Sequence, residues 1–307
     1  MAKTREIKKR IKAVGNIRRI TKTMQMIATS KFARAAAAAT ATKPYTEGLF
    51  NLVTELAGTA GEVKHPLMGG PVEGAKAEQK AAELTLVITS DRGLCGPYNG
   101  SILRTFMQHI RAHQSARPDA GGVIELVGKK GAGFLKYNNV QVSKTHSIGD
   151  KPAFDVIARL AEDYMVRFVA GELSSVRVVY MRFVSAGRQM PEVLQLLPLK
   201  PVEKKTVATP AGGAQGAGVG SVVDYDFSPP AEGLLGDLLP ETVKATLFQV
   251  FNDAIVSEHV ARMVAMKAAT DNAGKMRKLY TRDYNRARQA QITTELSEII
   301  AGAAALG

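Results

Sequence analysis

The chain has 307 residues, enough for one large or two modest domains with a true core. Its 45% hydrophobic and 22% charged residues exclude wholesale disorder, and a single cysteine, Cys95, excludes an intrachain disulfide scaffold. A formal net charge of +13 suits an anionic partner, whether a polyanion, an anionic membrane or an acidic protein, and composition alone does not choose among them.

Residues 1–60 read as a helix. Ile7, Ile11, Val14, Ile17, Ile20, Met24 and Ile27 recur in steps of three or four, giving a narrow apolar stripe. From Lys3 to Arg34 there are eleven basic residues against one acid, Glu6. The Ala35–Ala39 run favours helix, and Pro44 is expected to kink or end it locally. The basic start lacks the apolar core and cleavage site of a secretory signal, and no stretch approaches the roughly 20 apolar residues of a membrane span.

Residues 80–200 alternate strand and helix patterns. Leu84–Thr89, Val123–Val127 and Val176–Val184 read as strands, while Ser101–His113 and Ala153–Ala170 have helical spacing. That order predicts an α/β domain with a largely parallel sheet. Residues 201–233 are rich in Gly, Ala and Pro and read as a flexible loop. Residues 234–307 read as a second long helix, with Val243, Leu247, Val250 and Ala254 on one stripe and Ala269, Ala273, Met276, Tyr280, Tyr284 and Ala287 continuing it. Sixty residues of helix span about 90 Å and need a partner along their length. The N-terminal helix is the obvious one. The expected fold is therefore a long antiparallel coiled coil of the N- and C-terminal helices, with a Rossmann-like α/β domain inserted between them. The longer C-terminal helix must then project at its small, apolar end, Ile299–Leu306, or pack into other chains.

Catalytic signatures are missing. Asp91-Arg-Gly-Leu-Cys-Gly96 follows a strand but lacks the dinucleotide fingerprint, and Gly128-Lys-Lys-Gly-Ala-Gly133 lacks Walker A spacing. Asp91, Arg92, Gly93 and Gly96 read instead as a tight turn bracing the α/β domain on the coiled coil, with Cys95 a small buried hydrophobe. His65, His109, His113, His146 and His259 are scattered, without metal-site grouping. The expectation is a non-catalytic chain with no cofactor and no metal.

Three blocks are distinctive: Glu6–Lys31, Ser90–Asn99, and Ser257–Asn272 continuing through Tyr284–Ile300. In these blocks the chain resembles the gamma-subunit family of rotary F-type ATP synthases. Weaker echoes at Val127–Gly131, Phe183–Ala186, Leu196–Pro198 and Tyr225–Pro229 follow in the family's order. Because the first block begins within ten residues of the start, no removable leader is expected. The resemblance implies a central rotor shaft that couples rotation of the membrane c-ring, driven by proton flow, to the states of the catalytic beta subunits. It implies alpha and beta subunits, an epsilon subunit and the c-ring as partners, with the chain peripheral to the cytoplasmic face of a bacterial inner membrane. It assigns Arg262 and Gln289 to contacts with loops of the catalytic subunits. Met24 matches a position facing a beta subunit, although periodicity alone equally makes it a coiled-coil core residue. Lys8, Arg18 and Arg19 either attract an acidic motif on the beta subunits or are merely solvated. The chain departs from the family at Pro97, where a small residue is commoner, and in the Gly/Ala-rich stretch 211–220. Its single cysteine excludes the paired-cysteine switch of chloroplast versions. A rival reading, a basic coiled-coil nucleic-acid-binding protein, predicts salt-sensitive DNA or RNA binding. A nucleotide-dependent enzyme on the α/β domain is disfavoured by the missing phosphate loop.

Overall fold

Helix α1 spans Ala2–Thr59 and helix α5 spans Ala231–Leu306, in a computed structural model that describes residues 2–59, 65–69, 82–116, 122–199 and 231–306. Between them lie a short 3₁₀ turn (Pro66–Met68), β1 (Ala82–Ile88), α2 (Tyr98–Ala116), β2 (Gly122–Val127), α3 (Lys129–Tyr137), β3 (Lys144–His146), α4 (Phe154–Val169), β4 (Leu173–Ser185) and β5 (Arg188–Leu197). The part of the expected loop up to residue 230, including 211–220, lies outside the described residues; 231–233 already belong to α5. The chain divides into two compact units. A terminal unit comprises Met1–Arg34, Arg92–Tyr98 and Glu258–Gly307, and a sheet unit comprises Ala35–Asp91 and Asn99–Ser257.

In the sheet unit the strand order is β3-β2-β1-β4-β5. The first four strands are parallel, and β5 pairs antiparallel with β4. Two strands escape the sequence pattern. β3 is only three residues long, and β5 carries Pro191, which an edge strand tolerates because that edge needs no ladder donor. β1 is buried along nearly all its length, as expected of a central parallel strand covered on both faces. One face packs Leu84, Leu86 and Val178 against Ile157 and Tyr164 of α4, against Leu239, Val243, Leu247 and Val250 of α5, and against Val53 and Leu56 of α1. In this unit Thr42 Oγ1 donates to Gln249 Oε1 at 2.9 Å, joining α1 to α5.

Neither proline ends its helix. Pro44 lies inside α1 and Pro240 inside α5. Pro44 is exposed, so water can take up the backbone carbonyl its ring displaces, and packing on the opposite face carries the helix through.

The Gly128–Gly133 segment is the start of α3 rather than an open loop. Gly128 has φ +93°, and a methyl group there would sit 2.2 Å from the Thr89 carbonyl oxygen. Thr89 Oγ1 donates to the Val127 carbonyl at 2.8 Å and accepts from Gly131 N at 3.1 Å. Asp91 Oδ1 accepts from Lys129 N at 3.1 Å, so the chain's own carboxylate satisfies this helix start.

The histidines are less scattered than their spacing suggests. Glu83, buried on β1, takes His109 Nε2 at 2.8 Å, His113 Nε2 at 3.4 Å, Arg177 Nε at 3.1 Å and Ser175 Oγ at 3.0 Å. Glu125, buried on β2, takes His146 Nε2 at 2.6 Å, Tyr164 Oη at 2.8 Å and Arg167 Nη1 at 3.1 Å. Burial pushes the Glu125 carboxyl upward, but the bonds from His146, Tyr164 and Arg167 outweigh it and hold the group at about 2. Because that value lies below the unfolded 4.5, the stabilisation is complete above about pH 4.5 and is lost as pH falls toward 2. Glu125→Ala should therefore cost on the order of 3 kcal/mol at pH 7. In urea melts the gap between variant and wild type should narrow as pH drops below 4.5; a gap independent of pH would exclude the ionised carboxylate as its source.

Candidate functional site

The terminal unit contains residues 2–34 of α1, residues 258–306 of α5 and the turn Arg92–Tyr98. Thr4 Oγ1 lies 3.2 Å from Gln291 Oε1, and Thr270 Oγ1 donates to Thr21 Oγ1 at 2.8 Å, which makes the two helices antiparallel in this unit. Two helices wound about each other meet every 3.5 residues. From Val14 that repeat leads to Arg18, Thr21, Gln25 and Ala28, not along the apolar residues. Val14 and Ala28 are buried and Thr21 and Gln25 half-buried. Ile17, Ile20 and Ile27 are 52%, 58% and 53% exposed. The apolar stripe read from the sequence thus coincides with the seam only through Val14 and then turns outward. Met24 is half-buried at the boundary between the two faces.

On α5 the inward positions are Met266, Thr270, Ala273, Tyr280, Tyr284, Ala287 and Gln291, while Met276 is exposed. Beyond Gln291 every described side chain is exposed, through residue 304. Ile292, Leu296, Ile299 and Ile300 stand there at 55–68% exposure, in helical register with one another. Gln289 is exposed one turn earlier, and Lys8 is exposed on α1. Arg19 is exposed too, its Nη2 donating to Asn16 Oδ1 at 3.1 Å.

Arg18 and Arg262, which the resemblance assigns to partner contacts, also have neighbours within the chain. A methyl group at Gly274 would sit 3.6 Å from Arg18 Nε, so Arg18 lies against α5. Arg262 Nη2 donates to the Arg92 carbonyl at 3.0 Å and lies 2.7 Å from Glu258 Oε1; its Nε donates to the Gly93 carbonyl at 3.4 Å. Glu258 one turn earlier steers the guanidinium, a residue the sequence reading did not single out although its i, i+4 spacing to an arginine is a visible signal. The turn itself needs left-handed backbone at Leu94 (φ 64°) and Gly96 (φ 57°). Gly96 approaches the Ala265 side chain, where an added methyl would sit 3.6 Å away. Cys95 and Tyr98 are buried. Burial, reinforced by the nearby Glu258 charge, raises the Tyr98 phenol well above its ordinary value, so it stays protonated. Asp91, the remaining turn residue, belongs to the sheet unit, where it caps α3.

The Arg262 guanidinium thus ties the Arg92–Tyr98 turn to α5. Arg262→Ala should raise the rate at which a thiol reagent labels Cys95 by at least about tenfold, while lowering overall stability by only about 1–3 kcal/mol. Labelling unchanged from wild type would mean that the turn holds without Arg262.

Similarities to known proteins follow the same architecture. The ATP synthase family model matches residues 3–306. The ATP synthase gamma chain of Rhodopirellula baltica is 38% identical over 307 residues, covering 100% of this chain and 99% of that one. The gamma chain of Leptospira biflexa serovar Patoc is 37% identical, with both chains fully covered. Among solved structures, a chain of the Euglena gracilis mitochondrial ATP synthase (OSCP/F1/c-ring, rotational state 3) superposes with a TM-score of 0.64 at 20% identity, covering 99% of this chain and 95% of that chain. At that identity the superposition establishes the fold: paired terminal helices carrying an inserted sheet domain. On its sequence the chain belongs to the ATP synthase gamma-chain family.

Proposed function

We propose that this chain is the rotating central stalk of an F-type ATP synthase and performs no catalysis itself. Turning of a membrane ring of c subunits, driven by ion flow, turns the terminal helices. Their rotation forces the catalytic beta subunits of an alpha–beta hexamer through successive states, and an epsilon subunit accompanies the shaft. Among the described residues no helix is long and apolar enough to cross a membrane. In this reading the chain is held at the membrane by its partners, at the cytoplasmic face of a bacterial inner membrane, a placement supported by its similarity to gamma chains of bacteria.

One observation carries this reading within the terminal unit. α5 continues past the last bond to α1, at Gln291, with an exposed apolar stripe. An isolated soluble chain gains nothing from leaving Ile292, Leu296, Ile299 and Ile300 in water; a sleeve formed by other subunits would bury them. The outward face of Ile17, Ile20, Met24 and Ile27 supports the same conclusion on α1. We assign Met24, Gln289, Lys8 and Arg19 to the surface that meets the beta subunits. Lys8 and Arg19 supply screened attraction that does not lock rotation. For Arg262 the proposed part is indirect, through the turn it holds. The rival nucleic-acid reading has no support beyond the charge.

Tagged chain should co-purify with alpha and beta chains, and recovery of nucleic acid alone would overturn the stalk. Leu296→Asp with Ile299→Asp should reduce assembly at least about tenfold, since each charge forfeits burial of a large aliphatic side chain. The melting of the isolated chain should hardly move, because both positions are already exposed. Equal losses in assembly and in melting temperature would make the tip a core element instead.

A further inference from the structure

We propose that the seam of the terminal helices holds a binding site for a polyphosphate anion, formed by Arg18 of α1 and by Arg277 and Lys278 of α5. Arg18, Arg277 and Lys278 are exposed, and Arg18 lies against α5, where a methyl group at Gly274 would sit 3.6 Å from its Nε. Here Gly274 supplies no side chain opposite Arg18, and a groove of about 400 Å³ remains, lined by Arg18, Gly274, Arg277, Lys278 and Thr281. No carboxylate lines it, and among the described residues none forms an ion pair with any of the three cations. The Thr281 hydroxyl donates to the Arg277 carbonyl at 2.8 Å and neutralises nothing.

Three like charges around one open groove raise the local positive potential, which an anion lying among them would lower. The two guanidinium forks favour phosphate oxygens over other acceptors because they can donate two bonds at once. The volume is that of a small-molecule site, roomier than one orthophosphate needs. A chain of two or three phosphates would let all three cations donate together. A carboxylate peptide would bring fewer oxygens into the same space.

Calorimetric titration of the full-length chain with inorganic pyrophosphate tests this in about 0.15 M salt, where charges beyond about 8 Å are screened. Saturable, one-to-one binding is expected. Arg277→Gln with Lys278→Gln should weaken it at least tenfold. Lys151→Gln with Arg188→Gln removes the same charge from exposed positions in the sheet unit and should change it less than twofold. Arg277→Met should also raise the melting temperature of the anion-free chain by relieving repulsion, while abolishing the increase that pyrophosphate gives the wild type. Absence of saturable binding would overturn the site. Equal weakening by both double variants would do the same by revealing diffuse attraction to a basic chain, and so would saturable binding of poly-glutamate without binding of pyrophosphate. Because the titration uses the chain without other subunits, its failure would leave the stalk reading untouched.

Discussion

The constraint on which the terminal unit depends is the 3.5-residue repeat that two wound helices impose on each other. Sequence hydrophobicity and that repeat agree from Ile7 to Val14 and then diverge. Where they diverge, geometry prevails: Thr21 and Gln25 are half-buried while three isoleucines are exposed. Inverting the pattern on a helix costs burial on both counts. It is stable only if the inward polar groups find bonds and the outward apolar ones find partners. The Thr21–Thr270 and Thr4–Gln291 contacts supply such bonds at two points within the chain. The second is met only in an assembly, which accords with membership in a family of rotor subunits.

The sheet unit is built on a different principle. Its core is apolar and continuous, and the two carboxylates buried in it are surrounded by donors. Glu83 joins β1, β4 and α2, and Glu125 joins β2, β3 and α4. Each replaces several apolar contacts by directional ones and so fixes how helices lie on the sheet. Each would be costly if a single partner were removed. The three-residue strand β3 illustrates the dependence, since besides its ladder to β2 it is anchored by His146 on Glu125.

The sequence was most legible where periodicity and fold agree. Val243, Leu247, Val250 and Ala254 are buried in the positions their spacing gives them, and the long terminal helices follow from a helical pattern that runs on through Pro44 and Pro240. Of the two outcomes expected at Pro44, an end to the helix does not occur, its ring falling on an exposed side of α1. β5 was hidden by Pro191 and by a mixed polar pattern, and α3 by its glycines, two of which seat on Thr89. The outward turn of Ile17, Ile20 and Ile27 was invisible without the partner helix, because a stripe in steps of three and four fits either face. At the candidate site, the Asp91–Gly96 turn was recognisable from its glycines. The engagement of Arg262 within the chain was not, since a single arginine on a helix carries no sign of where it folds back.

A polar seam has a further consequence. Stability within a protein is uneven, and segments with few buried apolar contacts open at the lowest cost. In the terminal unit the half-buried Thr21 contributes a hydrogen bond with Thr270 worth about 1 kcal/mol, where a leucine would contribute two or three times as much by burial. That part of the helix pair is therefore held less by itself than by whatever covers its outer face. A subunit that turns inside others gains from this arrangement. Its cohesion is supplied by enclosing surfaces that need only be smooth and apolar, and no single strong, directional contact to them has to be broken at each step. Strong directional contacts are instead spent inside the chain, at Glu83, Glu125 and Arg262, where they hold sheet and turn in one geometry.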